Sequence, residues 1–268
     1  MAYNPPILII TGHGVNCEAE SCYIWEKAGA KVSFLHFHDL LDHPSSLHDF
    51  AGLMLIGGFS YGDHMGSGHV MSQRIRHRVR DDLQRFIDSE KLILGVCNGF
   101  QVMIKLGLLP GLHGRYFNQT FALMPNDCGM FQNFWVELHF EAESPCVFTR
   151  GIDRMSLPIR HGEGKIFSLE KETIEAIEME RCVTCRYVDP LSGEPTMRFP
   201  HNPNGSYHAI AGINDPTGRI FGLMPHPEAY LYPENHPQWD FQRRRGEAPK
   251  EGLGLALFRN AVEYLRSS

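Results

Sequence analysis

The run Lys91-Leu92-Ile93-Leu94-Gly95-Val96-Cys97-Asn98-Gly99-Phe100-Gln101 restricts the possible folds of this chain more than any other stretch. Apolar residues lead into a cysteine that has a glycine two positions to either side. A helical pattern starts at once, with Phe100, Met103, Ile104 and Leu106 apolar. The frame is that of the G-x-S-x-G strand–turn–helix elbow, with a thiol in place of the hydroxyl. A side chain at 95 or 99 would collide with the neighbouring turn, and the residue at the tip takes a strained backbone. Such a turn lifts the sulfur clear of the sheet and sets it at a helix N-terminus, whose dipole favours a thiolate. The competing reading is a buried structural cysteine, since free cysteine is among the most buried residue types. The glycine frame favours the nucleophile.

Around the elbow, strand and helix alternate. Residues 5–11 read as a buried strand, and Gly12-His13-Gly14-Val15-Asn16 as a polar turn. A helix runs from Glu18 to Gly29, followed by a second strand from Val32 to Phe37. Ala51 to Ile56 is a third strand, closed by the glycine loop Gly57-Gly58-Phe59-Ser60-Tyr61-Gly62-Asp63. The positions Ile75, Val79, Leu83, Phe86 and Ile87 then trace one face of a long helix. This alternation predicts an α/β fold with a doubly wound, mostly parallel, flavodoxin-like sheet. Beyond Pro110 the pattern changes. The alternating Phe134–Phe140, with Met155–Ile159, Val183–Val188 and His208–Ile213, predicts a mixed or antiparallel strand section added to the same domain. Arg219–Met224 is a further strand. The Pro-, Arg- and Glu-rich residues 229–252 read as a surface excursion from a single domain spanning 1–268, and a final helix carries Leu257, Phe258, Ala261, Val262 and Leu265 on one face.

Charge and cysteine usage narrow the setting. Net charge is -6 and no long basic run occurs, which argues against a nucleic-acid partner; Arg243-Arg244-Arg245 is read as solvated surface or a partner contact. No apolar run approaches the roughly 18–20 residues that span a bilayer. Ile7-Leu8-Ile9-Ile10 is too short for a signal peptide and leads into a glycine turn. The seven cysteines are odd in number and scattered, so no disulfide framework is expected and the setting is read as cytoplasmic. Cys182-Val183-Thr184-Cys185 stands alone without a second pair at zinc spacing. His36, His38, His43 and His48 crowd together but fit no metal-ligand pattern and are read as loop or surface residues.

A cysteine nucleophile needs a base, and the base needs a partner that orients it. His226-Pro227-Glu228 follows the strand at 219–224 and supplies both. In an extended segment residues two apart point to the same side, so Glu228 can fix the imidazole and stabilise the imidazolium formed as Cys97 gives up its proton. Attack on an amide carbonyl builds charge on oxygen, which requires preorganised donors. The backbone N–H groups of Asn98 and Gly58 are the candidates. The residues alone support a thiol hydrolase acting on an amide or an ester.

With these residues in place, the sequence resembles the class I glutamine amidotransferases, and among them the glutaminase subunits of phosphoribosylformylglycinamidine synthases. The matching pieces include Val15-Asn16-Cys17-Glu18, the glycine loop at 57–63, the elbow, Leu108-Leu109-Pro110-Gly111, His161-Gly162-Glu163-Gly164-Lys165, Asn202-Pro203-Asn204-Gly205-Ser206 and Met224-Pro225-His226-Pro227-Glu228. The resemblance implies hydrolysis of glutamine to glutamate through a γ-glutamyl thioester on Cys97, with His226 and Glu228 completing the catalytic set. It implies that Gly58 and Asn98 form the oxyanion hole and that Gln101 touches bound glutamine. Neither metal nor cofactor is expected in this chain. The ammonia would pass to a separate synthetase subunit, which uses ATP and Mg²⁺ to convert formylglycinamide ribonucleotide to its amidine; a small third subunit would help assembly. His161 and Glu163 match a motif of the family without a role that the sequence assigns. The chain departs from the pattern at Ala229, where arginine is common, and in the length of 230–252. Other readings are a different class I amidotransferase or thiol hydrolase, and a catalytically silent regulatory subunit on the same fold.

Overall fold

The computed structural model describes residues 3–267. Its first part repeats strand and helix: β1 (Pro6–Thr11), α1 (Glu18–Ala28), β2 (Lys31–His36), α2 (Phe37–Asp42), β3 (Gly52–Leu55), α3 (His69–Arg78), α4 (Arg80–Asp88), β4 (Leu92–Val96) and α5 (Asn98–Leu106). The second part is richer in strands: β5 (Ala122–Pro125), β6 (Gln132–Phe140), β7 (Arg154–His161), β8 (Glu163–Phe167), α6 (Lys171–Met179), β9 (Val183–Tyr187), β10 (Ile210–Asn214), β11 (Ile220–Leu223), α7 (Trp239–Arg245) and α8 (Leu255–Ser267).

One nine-stranded sheet runs in the order β2-β1-β3-β4-β11-β10-β9-β6-β7. The strands from β2 to β11 are parallel, in the flavodoxin-like order, and the pairs from β11 to β7 are antiparallel. The predicted parallel sheet with an antiparallel extension is therefore what the chain forms. The central strands read Ile-Leu-Ile-Ile, Leu-Met-Leu and Leu-Ile-Leu because both of their faces are covered, so alternation would leave polar groups in the core. Helices supply the cover. α1 packs on α8, where the Trp25 and Phe258 rings meet edge to face at 4.9 Å, and α3 packs on α5. α5 is buried along nearly its whole length, Lys105 alone reaching outward. No helix among the described residues is long and apolar enough to cross a membrane.

Two expectations are revised, and one pair of strands was not foreseen. The long helix over 75–87 is two helices broken at Val79, whose φ of −120° and ψ of −8° are not helical. The break keeps Ile75, Val79, Leu83, Phe86 and Ile87 buried while Asp82 turns to meet His48 at 3.0 Å and Arg85 at 2.7 Å. The pair β5–β8 forms a separate two-stranded sheet that no periodic pattern announced. The segment 229–252 has a buried root: Tyr230, Leu231 and His236 are inside, Tyr230 stacks edge-on against Trp135 at 5.0 Å, and His236 does so at 4.7 Å. Tyr232 to Asn235 and Pro237 to Lys250 lie on the surface. The crowded histidines act locally: His36 caps α2 by accepting from the His38 N–H, and His48 pairs with Asp82.

Candidate active site

Four chain segments meet where β1, β3, β4 and β11 end, at the carboxyl edge where parallel sheets bind ligands. The segment after β1 is stitched to the loop after β3: Asn16 N–H donates to Gly57 O at 3.2 Å and Phe59 N–H to Gly14 O at 2.6 Å. Glycine makes this contact possible. Gly58 has φ +140°, and a Cβ there would lie 2.5 Å from Val15 Cα. A Cβ on Gly57 would lie 2.8 Å from His226 Cε1 and 3.0 Å from the Cys17 sulfur, so this bare backbone carries both the ring and the thiol against it.

Cys97 occupies the predicted elbow. Its φ of 50° and ψ of −106° are a conformation that a side chain adopts only under constraint. The constraint comes from both sides: Cys97 N–H donates to Leu223 O at 2.9 Å, and the helix starting at Asn98 lies so close to β3 that a Cβ on Gly99 would sit 1.9 Å from Leu55 O. The sulfur points toward Arg160 O, 3.5 Å away. Asn98 opens α5, where the first amides of a helix have no intrahelical acceptor. Its side chain accepts from Ser60 N–H at 3.3 Å and donates to Gln101 Oε1 at 3.0 Å. Gln101 Nε2 donates in turn to Glu163 O at 2.7 Å. Both ends of the Gln101 amide are thus engaged within the protein, and the residue stands behind the cleft instead of lining it. Its geometry is that of a brace between the elbow helix and β8.

His226 and Glu228 meet as expected, but by a different route. The chain does not stay extended: Pro227–Ala229 make a 3₁₀ turn, with proline at its first position, that folds the carboxylate back to the ring. His226 Nδ1 donates to Glu228 Oε1 at 2.6 Å, and the two side chains are 2 % and 0 % exposed. The backbone of His226 is held by β7, donating to Pro158 O at 2.9 Å. Burial alone would push the imidazole toward its neutral form; the Glu228 carboxylate and then Cys97 outweigh it and raise the His226 pKa well above the ordinary range. His226 Nε2 and Glu228 Oε2 are buried without a hydrogen-bond partner among the described residues.

A cleft of about 260 Å³ opens over these groups, lined by Cys97, His226 and Gly58 of the predicted set. It is also lined by Asn16, Cys17 and Glu20 from the end of β1, and by Phe131, Asn133 and Arg160 from the antiparallel section. Asn16 and Cys17 belong to a segment visible in the sequence, yet nothing local placed them beside His226. Roomier grooves of about 580 and 690 Å³ lie near Phe167, and neither is lined by a cysteine. Behind the cleft His161 is fixed by Asn126, whose amide nitrogen donates to Met130 O and His161 O. The Asn126 oxygen therefore accepts from His161 Nδ1 at 3.1 Å. Burial first, then the charge of His226, push the His161 pKa down to about 3. Glu163 Oε2 accepts from Ser67 N–H at 3.3 Å, tying β8 to the turn that leads into α3. A thiol on a strained strand-to-helix turn, a carboxylate-held imidazole and bare backbone donors at one cleft can carry acyl transfer through a thioester.

The comparisons with known proteins agree with this chemistry. Residues 4–265 match the family of the CobB/CobQ-like glutamine amidotransferase domain. Similar proteins include the "Phosphoribosylformylglycinamidine synthase subunit PurQ" of Methanococcus maripaludis strain C7, 42% identical with 97% of each chain covered. That of Dehalococcoides mccartyi is 39% identical, again over 97% of each chain. A chain in the structure of PurLQS from Thermotoga maritima superposes with a TM-score of 0.70 at 28% identity, covering 98% of this chain and 100% of that one. A glutamine amidotransferase from Thermotoga maritima, at 15% identity and a TM-score of 0.56, shares the fold. The chain belongs to the CobB/CobQ-like glutamine amidotransferase family.

Proposed function

We propose that this chain is the glutamine-hydrolysing subunit of a phosphoribosylformylglycinamidine synthase, with Cys97 as nucleophile, His226 as base and Glu228 as its orienting partner. The observation that carries the reading is the convergence of the strained Cys97 turn with the 2.6 Å His226–Glu228 pair at one cleft. Full-length likeness to proteins bearing that name supports the choice of acceptor pathway. The Cys97 thiol transfers its proton to His226 Nε2, and sulfur attacks the glutamine amide carbon. The backbone N–H groups of Gly58 and Asn98 receive the developing oxyanion, and His226 returns the proton to the departing ammonia. Water then cleaves the γ-glutamyl thioester to glutamate, with His226 again as base. Gln101 holds the elbow helix against β8, Asn98 holds it against the glycine-rich loop, and Glu163 ties β8 to the turn before α3.

Residues 1–268 act as one catalytic unit in this reading, in a cytoplasmic setting suited to seven free thiols. Ammonia goes to a separate synthetase subunit, which supplies the ATP and Mg²⁺ chemistry, with a small subunit assisting assembly. The test is reconstitution with that synthetase. Cys97→Ser should abolish glutamine-driven amidine formation and leave ammonia-driven formation within about twofold, as removal of a nucleophile from an otherwise intact site requires. Equal loss of both would refute the assignment of Cys97 to ammonia supply alone.

A further inference from the structure

The hydrolytic scheme uses one thiol and one oxygen of Glu228, and leaves a second thiol and a second oxygen beside His226 unexplained. Cys17, His226 and Glu228 offer ligand atoms that all lie within 4.8 Å of one another, and all three side chains are buried. Glu228 Oε2, in a side chain with no exposure, lacks a hydrogen-bond partner among the described residues, as does His226 Nε2. Cys17 Sγ makes a long 3.4 Å contact with Asn16 Oδ1. His226 Nδ1 engages Glu228 Oε1, so Oε2 is the carboxylate oxygen left open to a further positive charge.

We propose that Cys17, His226 and Glu228 form an inhibitory site for a soft divalent cation, with zinc as the best fit. Thiolate sulfur, imidazole nitrogen and carboxylate oxygen are the three ligand types zinc takes, at about 2.0–2.3 Å, and the open cleft gives access for water as a fourth ligand. Calcium and magnesium call for oxygen shells and are disfavoured by the thiol and imidazole. Ligands held at those lengths stand about 3–4 Å apart in a tetrahedron, so small side-chain rotations of Cys17 and Glu228 suffice. Coordination releases the Cys17 thiol proton and occupies the lone pair of the ligating His226 nitrogen, any proton on that nitrogen passing to solvent. The imidazole is then unable to accept the proton of Cys97, and the chemistry stops until the metal leaves. The metal site itself stands on the three side chains; only its inhibitory effect rests on the proposed glutaminase reading.

Zinc affinity of the metal-free full chain is measured by competition with a chromophoric chelator, alongside the optical spectrum of the cobalt(II) complex. Wild type should bind one equivalent and show a sulfur-to-cobalt charge-transfer band. Cys17→Ser should lose the band and weaken zinc binding by more than about 100-fold, beyond the loss of a mere supporting contact. Glu228→Gln should weaken binding at least tenfold (~1.4 kcal/mol), and Cys97→Ser by less than about threefold. One equivalent of zinc should block glutamine hydrolysis in wild type, and should leave Cys17→Ser at whatever rate that variant shows without metal. Unchanged affinity in Cys17→Ser, or loss confined to Cys97→Ser, overturns the site. A chain that binds zinc as described yet never hydrolyses glutamine would instead overturn the glutaminase reading and leave the metal site standing.

Discussion

At Cys97 the backbone carries strain that the surrounding side chains and glycines enforce, and the sequence shows that enforcement openly. Gly95 and Gly99 stand where a Cβ would meet Met103 Sδ at 2.2 Å and Leu55 O at 1.9 Å. Gly99→Ala therefore forces α5 off β3, and denaturant unfolding should register a loss of at least about 3 kcal/mol, the upper range for overpacking. An unchanged midpoint would mean that the turn is looser than described. Glu228→Gln keeps a similar shape but removes the charge that holds His226 in its donor tautomer. Glutamine turnover should fall by roughly 10²–10⁴, as in other triads whose carboxylate is made an amide. The Cys97 elbow and the His226–Glu228 pair were legible because steric and tautomeric demands fall on neighbouring residues in the chain. Cys17, Phe131, Asn133 and Arg160 were not, since their presence at the cleft depends on how distant strands pack. Gln101 was singled out only through the resemblance, and its amide contacts with Asn98 and Glu163 O carried no local signal in the sequence.

Elements were readable where one face meets the core. The strands β1, β3 and β4 carry continuous apolar runs, and α1 stops at Gly29, whose φ of 99° provides the left-handed cap. The break at Val79 escaped because both halves keep their apolar residues in phase, so the pattern reads through it. The pair β5–β8 escaped because four- and five-residue strands carry too little period to stand out. The 229–252 segment shows what composition conceals: Pro, Arg and Glu dominate, yet Trp135 clamps Tyr230 and His236. Trp135→Ala should release that clamp. Limited trypsin digestion should cut at Arg243–Arg245 severalfold faster than in wild type, with the rest of the chain still protected. Equal cutting rates would show that the segment is held by something other than these rings.

On the scale of the whole molecule, the order β2-β1-β3-β4-β11 brings four strand ends to one edge; strand–helix alternation announced the parallel, doubly wound class of this part, and not that β11 would join it. The antiparallel extension was foreseen as a class of structure, but its strand order was not, because pairing partners far apart in sequence leave no local mark. Two buried histidines give the fold opposite pH responses. His161 is held neutral with a pKa near 3, against about 6.5 in an unfolded chain. Below about pH 6.5 the unfolded chain takes up a proton that the folded one refuses, so stability falls toward pH 3 at up to about 1.4 kcal/mol per unit. His226, raised well above its ordinary range, contributes stability that is complete below about 6.5 and lost as pH climbs through its folded value. His161→Gln should flatten the acid limb between about pH 4.5 and 6.5 in urea unfolding and leave the alkaline limb as it is. Parallel acid limbs in the two proteins would show that other groups set the acid response.

The central claim is that Cys97, and not its buried neighbour Cys17, attacks the amide of glutamine. The measurement that meets it most directly is mass spectrometry of the intact chain after exposure to 6-diazo-5-oxo-norleucine, with and without excess glutamine and with the synthetase subunit present. A single adduct on the peptide carrying Cys97, suppressed by glutamine and absent in Cys97→Ser, is the predicted result. An adduct on Cys17, or labelling of Cys97 that glutamine does not suppress, would contradict the account.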